Sequence, residues 1–230
     1  MSTKTNWTLG KELEKLAGAH STKGALRKFG LLGAEEDDFE LISAPEGWYR
    51  SGAETYLYRF RVRKEGVETP LVLKACVAYS PPTTLEAILH NWMERRELLS
   101  SRGVLTPKLY AWGYGEVLEE DVLFDLDGLL QKPDPPSDSL LLAMADVAGV
   151  IASLGFLPIG LFGDLRSHGE DVVVVDFGQD LGPPSVAKDD NPQIFDQLLE
   201  HLSKKGALVS ETLRQRMRSV FDAQRHLKLQ

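Results

Sequence analysis

The sequence predicts an α+β fold: a small antiparallel sheet carrying one helix, followed by a mainly helical half. Three observations lead there. Residues Tyr56 to Val62 and Leu71 to Val77 alternate in polarity on either side of Lys64-Glu65-Gly66, the pattern of a half-buried hairpin. A helix signal follows directly, and beyond the proline-rich segment 131–138 the chain turns strongly apolar with helical spacing. The expected organisation is a helical extension over 1–40, a sheet-bearing lobe over 41–130 and a reduced helical lobe over 131–230.

In order along the chain, 9–30 reads as two short amphipathic helices, with Leu13 and Leu16 in the first and Leu26 and Phe29 in the second. The acidic run Glu35-Glu36-Asp37-Asp38 is a solvated loop before the hairpin. Pro81-Pro82 ends the second strand, and Thr83 with Glu86 forms a capping box for a helix to about Arg102. A strand pair is expected at Lys108–Tyr114 and Val122–Leu126. Gln131 to Asp138 holds the prolines of a lobe boundary. Residues 139–154 form an apolar helix at the centre of the second lobe, and helices over 192–204 and 209–227 close the chain.

Bulk properties narrow the partners. With 34 acidic against 26 basic side chains, the net charge of −8 opposes sequence-independent binding to nucleic acid or anionic lipid. The single cysteine, Cys76, excludes an internal disulfide and fits a reducing compartment. Met1 to His20 lacks an apolar signal core, and no stretch reaches the roughly 20 apolar residues of a membrane span, so a soluble, cytoplasmic protein is expected.

The chemistry-bearing motif is Asp176-Phe177-Gly178 at the end of four consecutive valines. A buried strand that delivers a carboxylate at its tip, followed by a glycine that permits a sharp turn, suits a magnesium ion held against phosphates. Upstream, Pro70-Leu71-Val72-Leu73-Lys74-Ala75 places a lysine in an apolar strand, where its ammonium must snorkel out or meet a counter-charge. Val72 shares its strand face. The helix after it carries Glu86, Glu94 and Glu97.

A strand lysine, a glutamate-bearing helix, a proline-rich connection and a helical half holding Asp-Phe-Gly together resemble the protein-kinase-like superfamily over roughly residues 45–200. Within it the chain is most similar to small atypical kinases, those associated with tRNA threonylcarbamoylation and the aminoglycoside-phosphotransferase-like enzymes. Gly52-Ala53-Glu54 at the glycine-rich loop, the short tail after Gly178, and Lys188-Asp189-Asp190 leading to Asp196 point toward the former. The resemblance implies a minimal two-lobed kinase-like fold that uses ATP and magnesium. Lys74 would hold the α- and β-phosphates and Glu94 would hold Lys74, with Glu97 the other candidate. Val72, Gly52, Ala53, Asp125 and Leu126 would line the nucleotide site, and Asp176 would bind the metal. A plain hairpin turn is an equal reading of the segment around Gly52.

Asp164 admits two roles. If Gly163-Asp164-Leu165-Arg166 opens a catalytic loop, Asp164 orients or deprotonates the acceptor hydroxyl, with Gly169 where the family carries a metal-binding asparagine and His168 and Glu170 as possible helpers. If His168-Gly169-Glu170-Asp171 is instead a hairpin turn, Leu161–Ser167 pairs with Val172–Val175 and Asp164 itself falls at the metal position. The residue five places earlier is then Ile159, which does no proton chemistry. The second register keeps both strands paired.

No Gly-x-x-x-x-Gly-Lys-Ser/Thr loop, no Gly-x-Ser-x-Gly elbow and no histidine or cysteine cluster at ligand spacing is present. Three functions follow: a phosphotransferase acting on a protein or small-molecule hydroxyl, a pseudokinase that binds nucleotide or a protein partner with little transfer, and an interaction protein with an empty cleft.

Overall fold

The computed structural model describes residues 3–4, 26–27, 30–33, 38–43, 55–76, 84–113, 115–131, 136–178, 181–182 and 193–226. The first expected helix, most of the second, the acidic run 35–37, and Gly52 and Ala53 lie outside the described residues. The chain is mixed α+β and divides into two compact units, Met1–Met93 with Pro107–Asp121, and Glu94–Thr106 with Val122–Gln230.

The first unit is built on a sheet. Strands β1 (Thr3–Lys4), β2 (Asp38–Ser43), β3 (Thr55–Lys64), β4 (Val67–Cys76), β5 (Leu109–Gly113) and β6 (Glu116–Glu120) take the order β1-β5-β6-β4-β3-β2. All neighbours are antiparallel except β1, which runs parallel to β5. The β3–β4 hairpin forms where the alternation predicts it. Its two-residue turn has Glu65 at φ 51° and Gly66 at φ 78°, the double left-handed geometry that matches strand twist.

Pairing of Tyr58 with Leu73 and Phe60 with Leu71 sets one face of the sheet. These side chains, with Val62, Leu118, Phe39 and Ala111, are buried against Leu26, Leu31 and Leu32. Because strand side chains alternate, Val72, Lys74, Val117 and Glu119 all fall on the opposite face.

Helix α1 (Leu85–Ser101) gives its first nine residues to the first unit and the rest to the second. Its cap is Thr84, whose Oγ1 accepts from the Ala87 amide at 3.1 Å, one residue past the expected Thr83. The strand expected over Val122–Leu126 is corrected. The long partner of β5 is β6, six residues earlier than expected at its start and rich in acids, turned in at Gly115 with φ 78°. Only Phe124–Asp125 (β7) is strand, and it belongs to the second unit.

In the second unit β7 leads into a short helix α2 (Leu126–Leu130), then α3 (Asp138–Ser153). Helix α3 is capped by Ser137, whose Oγ accepts from Leu140 N, and is buried along most of its length. It packs on α5 (Gln193–Lys204), on α6 (Glu211–Arg225) and on strand β10 (Asp171–Val174). Side-chain ties reinforce the α3–α6 contact, Arg216 to Asp138 and Gln224 to Asp146, each at 2.7 Å. Between α3 and α5 lie β8 (Leu157–Pro158), a four-residue helix α4 (Leu161–Asp164), β9 (Leu165–His168), β10 and β11 (Leu181–Gly182). Strands β7, β9 and β10 form one small sheet and β8 with β11 another. Among the described residues no helix is long and apolar enough to cross a membrane.

Candidate functional site

Within the first unit the candidate group centres on Lys74. The register pairs Val72 with Glu119 and Lys74 with Val117, so Lys74 and Glu119 are diagonal neighbours on one face. Lys74 Nζ stands 2.7 Å from Glu119 Oε1, with the two side chains 11% and 2% exposed. These values make it a buried ion pair, whose strength depends far more on geometry than on salt. Beside it, on the row through Val72, Arg59 lies 3.6 Å from the buried Asp121. Val72, on the same face as Lys74, is 5% exposed.

Glu94, expected to hold Lys74, is exposed on α1, as are Glu86 and Glu97. The carboxylate set against Lys74 within its own sheet is Glu119, which sequence reasoning did not single out. One signal pointed to it: a lysine in an apolar strand demands an acid, and β6 carries three. Choosing among them requires the β4–β6 register.

In the second unit the chain forms the hairpin of the second register. Leu165 pairs with Val174, Arg166 with Val173, Ser167 with Val172 and His168 with Asp171, around a turn at Gly169-Glu170 with Gly169 at φ 64°. The expected strand over Leu161–Ser167 is shorter, because 161–164 curl into α4. Asp164 is therefore the residue directly before β9, and Asp176 lies two residues after β10. Since Leu165 and Val174 are paired, both aspartates stand at the same open end of the hairpin, and both are half-buried. His168 and Glu170 are exposed at the other end.

The turn after β10 is held from several sides. Asp176 Oδ1 accepts from Gly178 N at 2.8 Å, a local Asx-type bond that leaves its second oxygen available. Phe177 is 2% exposed, with the Arg96 guanidinium 5.5 Å from its ring centre. Arg95 Nη1 donates toward three carbonyls, Phe177 O at 3.1 Å, Gly178 O at 2.5 Å and Leu181 O at 2.7 Å.

Of the other expected site residues, Leu126 opens α2 and is fully buried, and Asp125 pairs through its backbone with Arg166. The Asp125 side chain lies outside the described residues, as do Gly52 and Ala53. Asp196 is exposed in the first turn of α5. Among the described residues no group of three or more histidine, cysteine or acidic side chains is gathered to hold a metal by protein ligands alone. A comparison with protein-family models finds no match, and one with curated proteins finds none either.

Proposed function

We propose that the chain is a kinase-like module that binds ATP with magnesium and transfers phosphate slowly or not at all, in other words a pseudokinase. The observation that carries this reading is the β9–β10 hairpin. With Leu165 paired to Val174, the segment entering the hairpin is Ile159-Gly160-Leu161-Phe162-Gly163-Asp164. Its one carboxylate, Asp164, precedes β9 at the end of the hairpin from which Asp176 also leaves, and on this reading it would serve the metal. The position five residues earlier, where the resemblance calls for a base, is Ile159, 73% exposed and without a proton to take or give.

Support for nucleotide binding comes from the residues themselves. Lys74 lies on the third strand of the β2–β3–β4 meander, the strand that carries the phosphate-binding lysine in protein kinases, and it is kept charged-paired rather than apolar. Magnesium is ordinarily held by one or two carboxylates with substrate phosphates completing its shell, so Asp164 and Asp176 fit it without a larger protein cluster. Bound magnesium would neutralise phosphate charge. Lys74 would neutralise the α- and β-phosphates, and Val72 would offer an apolar surface to the base.

The alternative is a phosphotransferase acting on a protein or small-molecule hydroxyl. It draws on the same loop, in which Asp164 is the one ionisable side chain and would then serve the acceptor. Incubation with γ-labelled ATP and magnesium separates the two. A pseudokinase gives nucleotide binding with less than about one labelled product per protein molecule; label that accumulates over many turnovers in wild type and vanishes in Asp164→Ala establishes the transferring form. A reducing cytoplasm is the compartment that the lone, buried Cys76 suits.

A further inference from the structure

The turn that follows β10 is fastened in an unusual way. Three backbone carbonyls, those of Phe177, Gly178 and Leu181, converge on a single terminal nitrogen of Arg95. Carbonyls do not gather around one point unless a cation or donor sits there, and a guanidinium supplies both charge and hydrogens. One face of the turn is thus closed by Arg95. Its apex, Phe177, is buried and stacked by Arg96, the next residue of the same helix. Inside the turn, the Gly178 amide takes one oxygen of Asp176. The Asp176 carboxylate is left with one defined orientation, set by a bond to a peptide unit whose own carbonyl is pinned.

We propose that Arg95 is a positioning residue for Asp176: it holds the backbone at Phe177, Gly178 and Leu181 so that the carboxylate is preset for a magnesium ion, with no rearrangement of Phe177 and Gly178 on binding. This rests on the nucleotide reading above. The general ground is preorganisation, since a ligand group already fixed loses less freedom when the ion arrives. Arg95 touches neither metal nor nucleotide in this account. Its effect passes through the turn.

The test compares ATP affinity with magnesium and with EDTA, by calorimetry, in wild type, Arg95→Met, Arg95→Lys and Asp176→Asn. Magnesium should strengthen ATP binding in wild type, and Asp176→Asn should abolish that gain. Arg95→Met should cut the magnesium-dependent gain about tenfold while leaving affinity in EDTA unchanged, and Arg95→Lys, which keeps a charged donor, should restore part of it. A purely structural role would lower both affinities together. Hydrogen exchange without nucleotide gives a second readout: the amides of Phe177, Gly178 and Leu181 should exchange at least about tenfold faster in Arg95→Met, with α3 unchanged. An undiminished magnesium gain in Arg95→Met, or unchanged exchange in the turn, overturns the proposal and leaves nucleotide binding standing. No magnesium gain in wild type overturns the nucleotide reading, and the assignment of Arg95 with it.

Discussion

Replacing Glu119 by glutamine keeps the size of the side chain and removes its charge, leaving the Lys74 ammonium 11% exposed without the carboxylate that now lies 2.7 Å away. At that separation and an effective dielectric of about 20, the attraction between the pair is about 6 kcal/mol. Desolvation of both ions offsets much of this in the intact protein. In the variant the cost of burying Lys74 remains while the attraction is gone. Breaking a buried pair from one side costs about 3–5 kcal/mol, and neither partner is exposed enough for water to take over the role. Urea unfolding at neutral pH should therefore show Glu119→Gln and Lys74→Met each destabilised by about 3 kcal/mol. The double variant Lys74→Met/Glu119→Gln, which removes both charges, should be more stable than the sum of the single changes predicts, giving a coupling of about 2 kcal/mol or more. The difference in stability between wild type and Glu119→Gln should hardly respond to added salt, as a pair shielded from solvent is screened little. A Glu119→Gln protein within about 0.5 kcal/mol of wild type, or a strictly additive double variant, refutes the reasoning.

Two further changes probe the packing and the charge network. At Gly149 on α3 an added Cβ would stand 2.6 Å from the Phe221 carbonyl oxygen and 2.8 Å from Gln224 Cβ on α6, so Gly149→Ala should destabilise by about 1–3 kcal/mol despite alanine's better helix propensity, read by thermal melting; a neutral or stabilising result would mean that α6 shifts freely. Glu68 is held below its ordinary value of 4.5 first by the hydrogen bond from Arg63, then by the charge of Arg61. A carboxyl whose folded pKa is depressed stabilises above its unfolded value and loses that contribution as pH falls through the folded one. Wild type should therefore exceed Glu68→Gln in stability at neutral pH, and the difference should close as the pH drops below 4.5; a gap that stays constant across this range contradicts the assignment.

How far the fold was legible follows from where the information lies. The β3–β4 hairpin could be read because alternation and a Glu-Gly turn are local signals, and α3 because its apolar run at helical spacing is local too; the caps of α3 and α6, Ser137 and Ser210, whose hydroxyls accept from Leu140 and Leu213, come from the structure. Strand β6 was missed because Glu116, Glu119 and Glu120 look like surface loop; what makes it a strand is pairing with β4, where Glu119 meets Lys74, and with β5. A contact between residues 45 positions apart leaves no periodic trace. The hairpin at Asp164 was half legible: unpaired valines demand a partner strand, which selects the register, yet the curl of 161–164 into α4 is a tertiary choice. Arg95 illustrates the same limit. In the sequence it is one of several charged residues on a helix, and only the fold brings three carbonyls of the turn after Asp176 to it.

The most direct measurement of the central claim is the melting temperature with and without saturating magnesium-ATP in wild type, Lys74→Ala and Asp176→Ala. Ligand at a hundred times its dissociation constant stabilises by about 2.7 kcal/mol, a shift easily resolved. Nucleotide binding through Lys74 and Asp176 gives that shift in wild type and loses it in both variants, each folded in the absence of ligand; an equal shift in all three, or none in wild type, contradicts it.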